Sequence, residues 1–263
     1  MAEQLPSLRT PPILFAHRGA RAHAPENTIE AFTLGLRLGA SGLESDVWLT
    51  ADGVAVLDHD GVVRRGLRRV PLGQVTADQL AGSVPTLAEL YQRCGTDYEL
   101  SLDVKDAAAV DEVLRIARSA GAIDRIWLCH PDLDVLAQWR ERSPGVRLVH
   151  STRLSVVGKP EPHAARLREL HIDAVNLHHA DWSGGMVALY HRFRRLAFGW
   201  DAQHERVMRA LLLAGIDGVF SDHVDRLVDV ATELAPTGEM HQRSAASDDS
   251  AELSDDATGS TAD

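Results

Sequence analysis

The sequence predicts an α/β fold: a closed (β/α)8 TIM barrel in a single domain, with a short hairpin excursion after its second strand and a disordered acidic tail. Three observations predict it. Short apolar runs alternate with amphipathic segments as far as residue 234, which makes eight strand–helix pairs and points to a parallel α/β architecture. The chain has 263 residues, and such a barrel takes about 250. Gly39, Gly95, Gly121 and Gly215 stand where helices should stop, at the left-handed position after the last turn. The barrel is expected over 11–236 and the tail over 237–263.

The first strand, 13–16, empties into FAHRGARAHAPENTIEAF, and a helix is expected over 28–38. In a barrel the chemistry sits at the C-terminal ends of the strands, so His17-Arg18-Gly19 leaves the first strand at that rim. The second strand, 43–49, is followed by Asp52-Gly53, a strong turn signal. A short strand over 54–57 is therefore expected to pair back, carrying His59 and Asp60 onto the rim. Residues 64–85 then read as an irregular excursion. The remaining strands are expected at 98–105, 126–129, 146–151, 174–177, 196–201 and 218–221. The helices between and after them are expected at 86–93, 107–120, 133–142, 163–170, 184–193, 203–214 and 224–234.

The formal net charge is −11, which removes the basic footprint that non-specific nucleic-acid binding needs. Over 237–263 seven acids face Arg243 alone, so −6 of that charge belongs to the tail. Its Ser, Ala, Asp and Thr cannot bury enough apolar area to offset ordering entropy. Cys94 and Cys129 are the only cysteines and are expected as free thiols. No apolar run has the length of a signal-peptide core or a membrane span, so a soluble, cytoplasmic protein without stable membrane insertion is expected. The sequence leaves the oligomeric state open.

Strand periodicity sets Glu44, Asp46 and Trp48 on the inward face of the second strand, with Leu43, Val47 and Leu49 facing the helices. The third barrel strand repeats this, with Glu99, Ser101, Asp103 and Lys105 inward. Asp103 beside Lys105 reads as an ion pair, and Glu99, deeper in the barrel, as structural. Glu44 and Asp46 have no equally near internal partner. Crowded inward carboxylates repel unless something positive neutralises them, and an oxygen-rich set suits Mg²⁺ or Ca²⁺. His17 and His59 both overlook that point. Two imidazoles, a cation and Arg18 make a phosphoryl-transfer site: the cation and Arg18 screen anionic oxygens, and the imidazoles move protons.

HRGA at 17–20, PENT at 25–28, GLESDVWLTADG at 42–53 and LDHD at 57–60 closely resemble the glycerophosphodiester phosphodiesterase family in letters and spacing. The likeness continues through Pro85-Thr86-Leu87 with Glu89, LDVK at 102–105, Trp200 and GIDGVFSDHVDRL at 215–227. The resemblance implies a (β/α)8 barrel that cleaves glycerophosphodiesters to glycerol 3-phosphate and an alcohol with a divalent cation. It implies His17 and His59 as the acid/base pair and Glu44, Asp46 and Asp103 as metal ligands. Arg18 and Lys105 would hold the phosphate, Trp200 would wall the substrate pocket, and Asn27 would fix the first loop. Asp103 stands where the family usually has Glu, and Trp200-Asp201-Ala202-Gln203 and Ser221-Asp222-His223-Val224 depart from its usual segments. The expected function is hydrolysis of glycerophosphodiesters. A lysophospholipase D-type hydrolase and a catalytically silent barrel that binds phosphorylated ligands are the alternatives.

Overall fold

The structure, a computed structural model, describes residues 4–66 and 68–235. The acidic segment 237–263 lies outside these residues. Among the described residues, eleven strands and nine helices follow in order: β1 (Ile13–Ala16), α1 (Ile29–Arg37), β2 (Gly42–Leu49), β3 (Ala55–Leu57), β4 (Val62–Arg65), β5 (Arg68–Pro71), α2 (Leu87–Cys94), β6 (Glu99–Val104), α3 (Val110–Ser119), β7 (Ile126–His130), α4 (Leu133–Arg142), β8 (Arg147–Ser151), α5 (Leu154–Val157), α6 (Pro160–Glu169), β9 (Ala174–His178), α7 (Gly184–Arg192), β10 (Leu196–Trp200), α8 (Glu205–Leu213), β11 (Gly218–Ser221) and α9 (Val224–Leu234). Eight of these strands run parallel in the order β1-β11-β10-β9-β8-β7-β6-β2, and β1 pairs with β2 to close the barrel. All four helix-ending glycines take positive φ.

Two elements differ from the sequence reading. The segment after β3 is ordered in part as a two-stranded antiparallel hairpin, β4–β5, followed by two 3-10 turns. Its strands read VVRR and RRVP, blocks of valine and arginine without the two-residue alternation that marks a strand. A single turn, α5, precedes α6, which starts earlier than expected because Pro160 is accepted in its first turn.

Alternation along each strand sorts the side chains. Val47, Leu100, Leu102, Leu128, Leu148, Val175 and Leu177 face the helices and merge with them in the outer core. Inward, Phe15, Trp127, Cys129, Val149, Ala174, Phe198 and Phe220 fill the lower barrel. Phe15 stacks on Phe220 at 4.3 Å and meets Phe198 edge-on at 5.7 Å. Gly42 makes the space, since a Cβ there would lie 2.6 Å from the Phe15 ring. Below them Glu99 accepts from Trp127 Nε1 and Arg147 at 2.7 Å and from Arg9 at 2.8 Å. Glu99 thus closes the barrel floor, the structural role expected of it. The floor is sealed by packing, so chemistry is confined to the opposite end.

A buried relay lies between β8, α6 and α7. Tyr190 Oη donates to His163 Nδ1 (2.8 Å), His163 Nε2 donates to His150 Nδ1 (2.9 Å), and His150 Nε2 donates to the Pro131 carbonyl (2.9 Å). With both buried rings neutral, the terminal carbonyl, which can only accept, sets this direction. Burial and the neighbouring His150 push His163 down to about 4, and burial lowers His150. The unfolded chain binds protons at these positions near pH 6.5, while the folded chain binds them only at lower pH. Stability is therefore present above pH 6.5 and lost as pH falls towards 4, by on the order of 2 kcal/mol. Urea unfolding at pH 7 and pH 4.5 should show that loss in the wild type and a smaller one in His163→Gln. Equal losses would show that the relay does not carry the effect.

Candidate active site

The loop leaving β1 is held in an unusual backbone shape. Arg18 and Asn27 take positive φ (52° and 53°), and so does Gly19 (79°). A Cβ on Gly19 would lie 2.5 Å from the Ala31 backbone, so only glycine fits there. Asn27 N–H donates to the Arg18 carbonyl at 3.0 Å, and its side-chain oxygen accepts from Ser45 Oγ at 2.7 Å. These bonds pin the first loop to β2, the positioning role expected of Asn27.

Glu44 and Asp46 rise from β2 into the barrel mouth. Glu44 Oε2 accepts the Arg18 N–H at 2.9 Å and lies 3.7 Å from His17 Nε2. Burial, reinforced by Asp46, holds the Glu44 carboxyl far above the usual carboxylate range, although His17 and Arg18 oppose this. Asp46 does have near partners, contrary to the sequence reading. Lys105 Nζ lies 3.1 Å from its Oδ1, and Arg18 Nε lies 3.4 Å from its Oδ2. The same lysine contacts Asp103 at 2.5 Å. Burial works against the Lys105 charge, but Asp103 and Asp46 outweigh it and raise its pKa. Strand pairing explains the contact: Asp46 and Asp103 are registered neighbours on β2 and β6, with Lys105 one step above.

His17 Nδ1 lies 2.6 Å from Asp222 Oδ1, a contact the sequence reading did not foresee across 205 positions. Burial works against the imidazolium, but Glu44 and then Asp222 outweigh it and raise the His17 pKa. Asp222 is itself lowered: burial raises it, while the His17 hydrogen bond and Arg21 pull it further down. Parallel pairing of Ala16 with Ser221 puts the residues that follow, His17 and Asp222, side by side. Asp222 lies within the likeness over 215–227, but its partner is invisible before the barrel closes.

β3 pairs antiparallel with β2, Val47 opposite Leu57, and delivers His59 to the rim as expected. Trp48 Nε1 donates to the Asp58 carbonyl (2.9 Å), and Asp58 accepts from Gly61 N–H (2.7 Å). Trp48 therefore supports the turn that carries His59, packing with the excursion rather than facing the barrel interior. His59 is half-buried at the cavity edge, with Nδ1 at 3.0 Å from Asp60.

One cavity of about 450 Å³ at the C-terminal mouth is lined by His17, Arg18, Glu44, Asp46, His59, Asp103, Lys105 and Trp200. The structure brings together all eight candidate residues. Arg153 stacks over Trp200 at 4.6 Å. Cys94 and Cys129 are free thiols, and Cys129 also lines the cavity. Asp46 Oδ2 is buried without a hydrogen bond, beside a Glu44 carboxyl that burial disfavours as an anion. Both features, with an all-oxygen donor set, fit a hard divalent cation. Asp103 leans towards Lys105. Among the described residues, the sets whose donor atoms come within 4.8 Å of one another are His23, His223 and Asp225, and His178, His179 and Asp201. Neither set was singled out in the sequence.

The family model described as "Glycerophosphoryl diester phosphodiesterase family" matches residues 17–226. A glycerophosphodiester phosphodiesterase of Caldanaerobacter subterraneus subsp. tengcongensis is 24% identical over 241 residues, covering 83% of this chain and 97% of that protein. The crystal structure of the glycerophosphodiester phosphodiesterase from Thermotoga maritima superposes with a TM-score of 0.73 at 25% identity, over 83% of this chain and 97% of that one. An Oleispira antarctica phosphodiesterase, solved with the product sn-glycerol-3-phosphate, has the same fold (TM-score 0.75, 19% identity, 84% and 97% covered).

Proposed function

The chain belongs to the glycerophosphoryl diester phosphodiesterase family and is a phosphoric diester hydrolase; from that premise we propose that it cleaves small glycerophosphodiesters, such as glycerophosphocholine, to glycerol 3-phosphate and an alcohol. The observation that carries this reading is the single cavity in which His17, His59, two cations and three carboxylates meet. The glycerol 3-phosphate bound to the Oleispira antarctica phosphodiesterase supports the same product here.

Lys105 and Arg18 provide positive charge for the phosphate oxygens, with Lys105 tethered by Asp46 and Asp103. Glu44 and Asp46, with Asp103 alongside, would hold a divalent cation (Mg²⁺ or Ca²⁺), which supplies Lewis-acid stabilisation of phosphate charge when bound. His17 keeps Nδ1 committed to Asp222, so Nε2 is its proton-transferring nitrogen. His59 enters from the excursion side of the cavity. One imidazole activates water or the neighbouring glycerol hydroxyl, and the other protonates the departing oxygen. Trp200, braced by Arg153, walls the pocket.

No helix among the described residues is long and apolar enough to cross a membrane. Glycerophosphocholine incubated with the protein and a divalent ion should release glycerol 3-phosphate, and a chelator should stop the release. Faster turnover of acylated than deacylated substrates would favour the lysophospholipase D-type reading. Binding of phosphorylated ligand without turnover would favour a silent barrel.

A further inference from the structure

His23, His223 and Asp225 come from opposite ends of the chain and meet at the seam where the barrel closes. β1 pairs with β11, and the segments that leave these strands run together, with Ala22 N–H donating to the Asp222 carbonyl at 3.2 Å. A donor atom from each of the three side chains lies within 4.8 Å of the other two. None of the three lines the cavity at the barrel mouth. His23 Nε2 stands 3.0 Å from Asp225 Oδ1 but is poorly aligned for a hydrogen bond, and that oxygen is buried without a partner. His223 Nδ1 is buried without a partner as well. His223 occupies the N-cap position of α9, yet its side chain makes no capping bond. Two of the three side chains therefore hold buried polar atoms that folding leaves unsatisfied, at a cost in stability.

We propose that His23, His223 and Asp225 form a second divalent-metal site, suited to an imidazole-seeking ion such as Zn²⁺ or Co²⁺, that clips the loop after β1 to the start of α9. The donor set differs in kind from the carboxylates of the barrel mouth. Imidazole nitrogens suit zinc and its neighbours, whereas all-oxygen sets suit Mg²⁺ and Ca²⁺. Three protein ligands leave a fourth tetrahedral position for water. Ligands about 2.0–2.2 Å from zinc lie roughly 3.3 Å apart, so small rotations of the exposed His23 close the present spread. The positive end of the α9 dipole opposes a cation here, and Asp225 in the first turn offsets it. A bare His23–Asp225 ion pair would account for one contact and leave the buried His223 nitrogen unexplained. The clip would steady two parts of the active site from outside the cavity: the loop that carries Arg18, and Asp222, which holds His17. The site stands independently of the reaction proposed above.

The test removes the carboxylate site first. The full chain carrying Glu44→Gln and Asp46→Asn, free of any affinity tag, is titrated with Co²⁺ and followed by visible absorption. It should bind one equivalent with the intense band of nitrogen ligation, and wild type should bind a further equivalent at the carboxylates. Adding His23→Gln or His223→Gln to the double variant should weaken Co²⁺ binding by about 100-fold, at least the worth of a ligand-supporting group. Zn²⁺ at about 100 times its Kd should raise the unfolding midpoint by about 5–10 °C in the double variant and leave it unmoved in both histidine variants. His23 is 38% exposed, so His23→Gln should match its parent in chelator, which shows that it is folded. Absence of the band from the double variant, its survival in both histidine variants, or its loss in His178→Gln instead would overturn the site.

Discussion

Alanine at His17 or at His59 should lower kcat for glycerophosphodiester hydrolysis by about 10²- to 10⁴-fold, the usual worth of a positioned proton-transfer group. The barrel should survive both changes, since neither ring belongs to the apolar core. His17 sits at the end of β1 with its lower neighbours sealed by the Phe15–Phe220 stack, and His59 lies on the rim. Far-ultraviolet circular dichroism and the unfolding midpoint should match wild type. Asp222→Asn extends the test to the residue that positions His17. It keeps the volume but removes the charge that holds Nδ1–H, so kcat should drop about 10²-fold with KM little changed. Full activity in either alanine variant would refute the acid/base assignment.

The second large effect concerns the carboxylates. Glu44→Gln combined with Asp46→Asn should abolish Mg²⁺ and Ca²⁺ binding and cost about 10³-fold in activity, several kcal/mol of lost charge stabilisation. Stability in chelator should hold or rise. Glu44 is buried against Asp46 and held well above the carboxylate range, so neutral isosteres relieve a repulsion. Arg18 keeps Glu26 at 3.2 Å, and Lys105 keeps Asp103 at 2.5 Å, so neither cation is stranded. Isothermal calorimetry with Mg²⁺ and Ca²⁺, alongside urea unfolding in chelator, reads both halves. Unchanged ion binding in the double variant would place the cation elsewhere, with the His23 and His178 clusters the first places to look.

The fold was legible because its signals are local. Apolar runs of strand length, helical stripes and stop glycines recur along the chain, and both α4 and α9 fall where the pattern put them. The β4–β5 hairpin was not legible, because its strands are short and carry more arginine than apolar surface. The inward carboxylates were legible as well, since side chains alternate faces along a strand whatever the rest of the chain does. Their partners were not. Lys105 was paired in the sequence reading with Asp103 alone, two positions away, yet it also reaches Asp46 on the adjacent strand. Asp222 shows the same blindness over a far longer separation, and the meeting of His23 with His223 gave no sign at all.

Residue order therefore decides which elements form and which face of each strand carries polar chemistry, because backbone geometry imposes those periodicities locally. Barrel closure decides the rest. Pairing β1 with both β2 and β11 sets the first histidine beside an acid from the second strand and an acid from beyond the last strand. Those neighbours determine which imidazole nitrogen is free and which carboxylate is left without a cation. Charges and hydrogen bonds depend on distance in space, and only the closed ring of strands makes distant positions adjacent.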